Sequence, residues 1–229
     1  MHEQEHQGHG FTDRLGTQLP IYATGIGGNL LNVLMQNRLS GYDESFTSEL
    51  ARNAKAQDPR LKINQYTSSG NPFEDMMEGN MNAYNTRENR ASFARGGYGF
   101  AAHELGHAEQ YRNPTYRKLK PVMMASRVAT QVNPASLLAM LAPNEEVAST
   151  AANINLATSL PMIAEEIDAS RRGARLIKNT KAFGKMSRAS KLLALARPFA
   201  GLPSYLIMGL LPYLQVQASK KAGDYEGTY

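Results

Sequence analysis

The chain has 229 residues, no cysteine, five histidines and a formal net charge of +5, with a pI near 9.4. That length suits one sizeable domain, and the lack of cysteine excludes disulfides, cysteine-ligated zinc fingers, thiol nucleophiles and iron–sulfur clusters. A mean hydropathy of −0.43 is low for a small protein with several membrane spans. The N-terminal MHEQEHQGHGFTDRLG also lacks the basic-then-apolar layout of a secretory signal peptide.

Residues 1–14 read as a polar tail carrying His2, His6 and His9. Leu15–Asn37 has no charged residue and ends in NLLNVLMQN, a helical apolar pattern. A short amphipathic helix is predicted over Thr47–Ala56, ended by Asp58-Pro59. LKINQY at 61–66 alternates like a strand, SSGNP at 68–72 reads as a turn, and MNAYNT at 81–86 is a second, weaker strand. Gly96-Gly97 break the chain before a helix predicted over 98–112 that stops ahead of Pro114.

Everything beyond reads helical. Val128–Asn144, Val147–Ala164 and Pro198–Ser219 are free of Asp, Glu, Lys and Arg. They are poor spans all the same, interrupted by Gln131, Asn133 and Pro134, by Asn153 and Asn155, and by Pro203, Pro212, Gln215 and Gln217. Residues 220–229 form a second polar tail. The expected architecture is one domain over 15–219, mainly α with a small β element.

The chemistry concentrates in His103-Glu104-Leu105-Gly106-His107, which spells H-E-x-x-H. On a helix, residues four apart share a stripe, so both imidazoles face one ion, while Glu104 reaches an activated water without ligating the metal. The longer metzincin pattern is excluded, because Gln110 and Asn113 stand where it needs Gly and His. No histidine follows His107, so a third protein ligand has to be Asp or Glu unless the N-terminal tail folds back. Glu109 points about 200° away from His107. Glu145 and Glu146 read as a solvated turn, and Asp224 and Glu226 lie in the terminal tail. That leaves PMIAEEIDASRRGARLI at 161–177, where Glu165, Glu166 and Asp168 enter a helix directly after an apolar run. Carboxylates there either bind something or form an exposed face paired with Arg171 and Arg172.

AAHELGHAEQ followed by EEIDASRRGA resembles the YugP-like neutral zinc metallopeptidases, which pair an AAHE-x-GHA-x-Q helix with a downstream E-F-D-A-S-R-R-A segment. Residue-level similarity covers 101–110 and 166–174, and the order of the uncharged stretches follows the family's layout. The resemblance implies a zincin-like core of gluzincin type, with an active-site H-E-x-x-H helix, a helical hairpin insertion and a second, glutamate-bearing helix. It further implies Zn²⁺ held by His103, His107 and Glu166, with Ser170 one turn beyond in support. Members of that family are typically embedded in membranes and more apolar than this chain, whose polar-studded segments argue against insertion.

The expected activity is zinc-dependent hydrolysis of a peptide or protein substrate, with Glu104 as general base and the substrate paired along MNAYNT. For the oxyanion the candidates are Tyr84, Tyr98, Tyr111 and Arg171. The rival reading is a structural or assembly protein that keeps a zincin-like fold, with zinc as a staple or absent. From Arg171 to Arg197 the chain carries nine basic residues and no acid. Such a run suits a membrane surface, an acidic partner protein or a second copy of the chain. Nucleic acid fits less well, because no aromatic interleaving or recognisable binding motif accompanies the charge. The sequence sets no compartment.

Overall fold

The computed structural model describes residues 43–69, 72–132 and 144–222, with 135, 138, 139 and 142 between the last two. The Leu15–Asn37 segment, the 1–14 tail and residues 223–229 lie outside the described residues. The chain divides into two compact units. Among the described residues the first comprises 43–121 and 164–202, and the second 122–163 and 203–222.

In the first unit, helix α1 (Asp43–Gln57) turns Phe46, Leu50 and Ala54, spaced four apart, into the core. Pro59 bars its continuation, and Asp58 fixes the exit by accepting from Arg60 N and Asn89 Nδ2, both at 3.0 Å. Strands β1 (Lys62–Tyr66), β2 (Ala83–Asn85) and β3 (Arg90–Ala94) form a sheet in the order β1-β3-β2. β3 runs parallel to β1, with Tyr66 opposite Ala94, and antiparallel to β2. Ala91 and Phe93 alternate inward from β3 into the core, while the short helix α2 (Pro72–Met77) links β1 to β2. The MNAYNT strand is thus shorter than expected, and the central strand RASFA is one the sequence reading left out.

Gly96 adopts φ +81°, a conformation other residues resist, and turns the chain from β3 into the motif helix α3 (Tyr98–Arg112). This helix is buried on most sides by the sheet, by α1 and by the Arg197–Phe199 turn. Helix α4 (Pro114–Val132) follows at once. Helix α5 (Glu145–Lys178) then runs unbroken for 34 residues, joining the uncharged Val147–Ala164 stretch to the acidic EEID segment. Helices α6 (Lys181–Gly184) and α7 (Arg188–Ala196), the 3₁₀ turn Arg197–Phe199 and helix α8 (Leu202–Ala222) complete the chain.

Two internal prolines explain polar residues inside apolar stretches of the second unit. Pro161 opens the α5 ladder, and the Ser126 hydroxyl fills the gap, accepting from Met162 N and donating to Thr158 O. Pro212 leaves the Met208 carbonyl of α8 without its intrahelical donor, and the buried Asn155 amide donates there at 3.3 Å and to Gly209 O at 2.9 Å. Asn155 is therefore an interior bonding group, and so is Ser159, which donates to Asn155 O at 2.7 Å and meets Thr130 Oγ1 at 3.2 Å. Among the described residues, no single helix is long and apolar enough to cross a membrane.

The crossing of α3 and α5 positions the site. A Cβ on Gly106 would collide with the Ala169 carbonyl oxygen, and a Cβ on Gly173 would stand 2.6 Å from the Ala102 oxygen. Backbone therefore meets backbone at both points. Gly106→Ala should lower unfolding stability by about 3 kcal/mol or more, since overpacking against backbone outweighs the helix propensity gained. Gly184→Ala, with nothing within 4 Å of its added Cβ, should stay within about 0.5 kcal/mol of the parent in the same urea titration. Equal stability of the Gly106 variant would contradict the close crossing.

Candidate metal centre

Because α3 and α5 nearly touch, Glu166 arrives directly against the motif histidines. Its Oε2 lies 3.0 Å from His103 Nε2 and 3.5 Å from His107 Nε2. One ligand atom from each of the three residues falls within 4.8 Å of the others, a buried His–His–Glu group that can hold a metal ion. The imidazoles stand edge to face, with ring centroids 4.8 Å apart. Glu166 is fully buried, whereas the His103 side chain keeps 12% of its surface and marks the side open to solvent.

The outer nitrogens are tied down, and the ties fix where the protons sit. The Ser170 hydroxyl donates its one hydrogen to Pro198 O at 2.9 Å, so it must accept from His103 Nδ1, at 3.1 Å. Gln110 Nε2 donates to Glu165 O at 2.8 Å and to Asp168 Oδ2 at 3.1 Å. Its Oε1 therefore faces His107 Nδ1, at 2.9 Å, and accepts the proton there. A flipped amide would set its oxygen against a carbonyl and a carboxylate.

With both protons on Nδ1, each Nε2 turns a bare lone pair toward the Glu166 carboxylate. Three lone pairs meeting in a buried space repel unless a cation stands among them. Protons can serve the nitrogens one at a time; a single divalent ion serves all three donors at once. The donor set, two imidazole nitrogens and one carboxylate oxygen with outer-sphere hydrogen bonds in place, fits such an ion. Desolvation pushes the His107 pKa down. The hydrogen bond and charge of Glu166, with the charges of Glu104 and Glu165, outweigh it and hold His107 above its ordinary value of 6.5. The field that favours a proton here favours a metal cation equally.

The remaining acids separate by direction. Glu165 is buried beside Glu166, but its Oε1 accepts from the Tyr111 hydroxyl at 2.7 Å and stands 3.9 Å from His107 Nδ1. Asp168 Oδ2 accepts from Tyr116 OH, Arg172 Nε and Gln110 Nε2. Burial pushes Asp168 upward, and these three donors together hold it below the usual carboxylate value. Arg172 also reaches Glu109 at 3.2 Å, while Arg171 is exposed. The ion-paired face is thus Asp168's, and the acid that faces both histidines is Glu166.

Of the oxyanion candidates, Tyr84 donates to Asn89, Tyr98 packs between Phe46 and the Arg197 guanidinium, and Tyr111 serves Glu165. Tyr66 escaped the sequence reading. It ends β1, its hydroxyl donates to Asn82 Oδ1 at 3.1 Å, and its pKa is pushed up to about 12 by burial and then by the charges of Asp75 and Glu104. It is a neutral donor at any working pH, near enough to Glu104 to feel its charge. Gln110 and Asp168 were missed as supports, because only the fold brings residues of α3 and α5 into hydrogen-bond reach.

Purified protein should carry about one metal ion per chain, a stoichiometry lost in Glu166→Ala and retained in Glu165→Ala. Gln110→Ala should weaken metal affinity roughly 10- to 100-fold while leaving the three ligands in place. Mass spectrometry and competition with a chelating dye read both effects, and an unchanged affinity in Gln110→Ala would contradict the assigned support.

No protein-family model, curated protein or solved structure matches the chain. The reading of the site accordingly stands on its own geometry.

Proposed function

We propose that this chain is a zinc-dependent metallopeptidase with a zincin-like core of gluzincin type, in which His103, His107 and Glu166 are the metal ligands. The observation that carries the reading is the convergence of three buried donors on one point, with Glu104 next to His103 on the same helix. Two nitrogens and one carboxylate oxygen suit Zn²⁺ among common biological cations. Zn²⁺ held by these three residues would supply a Lewis acid that polarises a carbonyl and lowers the pKa of water.

The remaining roles belong to the chain itself. Glu104 is buried, and its charge bears on both His107 and the Tyr66 hydroxyl. It takes the proton of the attacking water and returns it to the leaving amine. β2 lies at the sheet edge beside α3, where an extended peptide adds to the free edge by backbone hydrogen bonds. Tyr66 is the donor we assign to the developing oxyanion, because its phenol stays neutral and feels the charge of Glu104, and its hydrogen would turn from the neutral Asn82 amide to the substrate.

An assay on mixed peptides tests this. Glu104→Gln should keep its metal and lose roughly 10³-fold in kcat or more. Tyr66→Phe should lose about 10²-fold in kcat with KM nearly unchanged, while Tyr84→Phe stays close to the parent. A wild type that binds zinc yet cleaves no peptide, or an active Glu104→Gln variant, would overturn the peptidase reading and favour a structural metal site.

A further inference from the structure

A second surface, independent of the metal centre, lies on α7. Its exposed residues are Arg188, Ala189, Leu192, Leu193 and Ala196, which fall on one face of the helix. The opposite side buries Ala194 and rests Leu195 on the core. Leu192 is 67% exposed and Leu193 44%, so two adjacent leucines are turned to solvent beside a core that takes up neither. Around them the chain is basic. Lys178, Lys181, Lys185 and Arg188 are exposed, and none of these four side chains has a hydrogen-bond or ion-pair partner among the described residues. The 171–197 segment itself holds no acid, and the Glu49 carboxylate that reaches it accepts from the Lys181 and Ala182 backbone amides, leaving the lysine side chains to solvent.

We infer that this face docks on an anionic lipid surface. Leu192 and Leu193 enter the boundary between headgroups and acyl chains, while Lys178, Lys181, Lys185 and Arg188 meet the lipid phosphates. An apolar pair with exposed basic side chains around it is the composition that interfacial helices use. A folded protein partner suits it less, since a nine-residue helix is about 14 Å long and a stable protein interface buries roughly 1,000 Å² or more. Nucleic acid would engage the lysines but give the leucines nothing to do, and Phe183, the aromatic ring of this region, is already covered by Lys191. Among the described residues no single helix is long and apolar enough to cross a bilayer, and α7 with the turn after it passes that test only as a bent pair with α8.

Flotation of the full-length chain with vesicles tests the inference. The protein should float with phosphatidylcholine vesicles that carry phosphatidylserine and stay behind with pure phosphatidylcholine. Leu192→Ser combined with Leu193→Ser should reduce partitioning roughly tenfold or more. Lys185→Glu with Arg188→Glu should reduce it by at least about tenfold, and high salt should act in the same direction. Both double variants should keep the parent's melting temperature and metal content, because all four side chains are exposed. Failure of the wild type to float with anionic vesicles would overturn the proposal. So would undiminished flotation of the leucine variant, or tighter binding to single-stranded RNA than to the anionic vesicles. The comparison of the two vesicle compositions decides the matter even if one variant proves unstable.

Discussion

The site depends on two helix backbones that touch. Glu166 and the His103–His107 pair come from segments far apart in sequence, and a glutamate side chain is short. It reaches both imidazoles only because α3 and α5 cross with Gly106 against Ala169 and Gly173 against Ala102. Any side chain at either glycine would push α5 outward and carry Glu166 with it. Within the second unit, Pro161 opens the hydrogen-bond ladder of α5. Ser126 closes that ladder from a neighbouring helix.

Once the helices are in contact, electrostatics sets what the site does. The outer imidazole nitrogens spend their protons on Ser170 and Gln110, which leaves both inner nitrogens facing a carboxylate. A buried carboxylate with no cation costs several kcal/mol, so the arrangement is at ease only with positive charge in its centre. Two different devices hold the ligands. Ser170 rests on a backbone carbonyl, and Gln110 rests on Asp168, itself gripped by Tyr116 and Arg172. The first ties His103 to the Arg197–Phe199 turn, and the second ties His107 to the polar rim of α5. Protons and metal compete for the same nitrogens, and the raised affinity of His107 for a proton shifts that competition to a higher pH than an ordinary imidazole would set.

Much of this was legible in the sequence because it rests on local spacing. The i, i+4 histidines, the helix over 98–112 and its stop before Pro114 are read from a single turn of helix. The strand at 61–66 reads from its alternation. The third strand, Arg90–Ala94, hid behind small residues and a turn held by Asn85 Oδ1 and the left-handed Asn89, neither of which has a hydrophobic period. The continuity of α5 has no local sign either, since an uncharged stretch and an acidic one meet in it and the Ser126 that bridges the ladder at Pro161 is remote in sequence. Long-range partners such as Gln110 with Asp168, or Tyr66 with Asn82, have no local signature at all. The elimination of acids stopped at the 161–177 segment for the same reason, because helical spacing alone does not tell Glu165 from Glu166.

Polar residues in the apolar stretches acquire a different meaning once partners are known. Asn155, Ser126 and Ser159 satisfy backbone groups that prolines free, or bond neighbouring helices, inside the second unit. They measure how helices with internal prolines are held, and hydropathy alone undervalues them. The central claim, that His103, His107 and Glu166 converge on a metal ion, is tested most directly by X-ray absorption at the zinc edge on the zinc-loaded full-length chain. The account predicts a first shell of nitrogen and oxygen donors with the outer scattering of two imidazoles, reduced to one in His107→Ala. A spectrum of hydrated zinc, or one unaffected by that substitution, would contradict it.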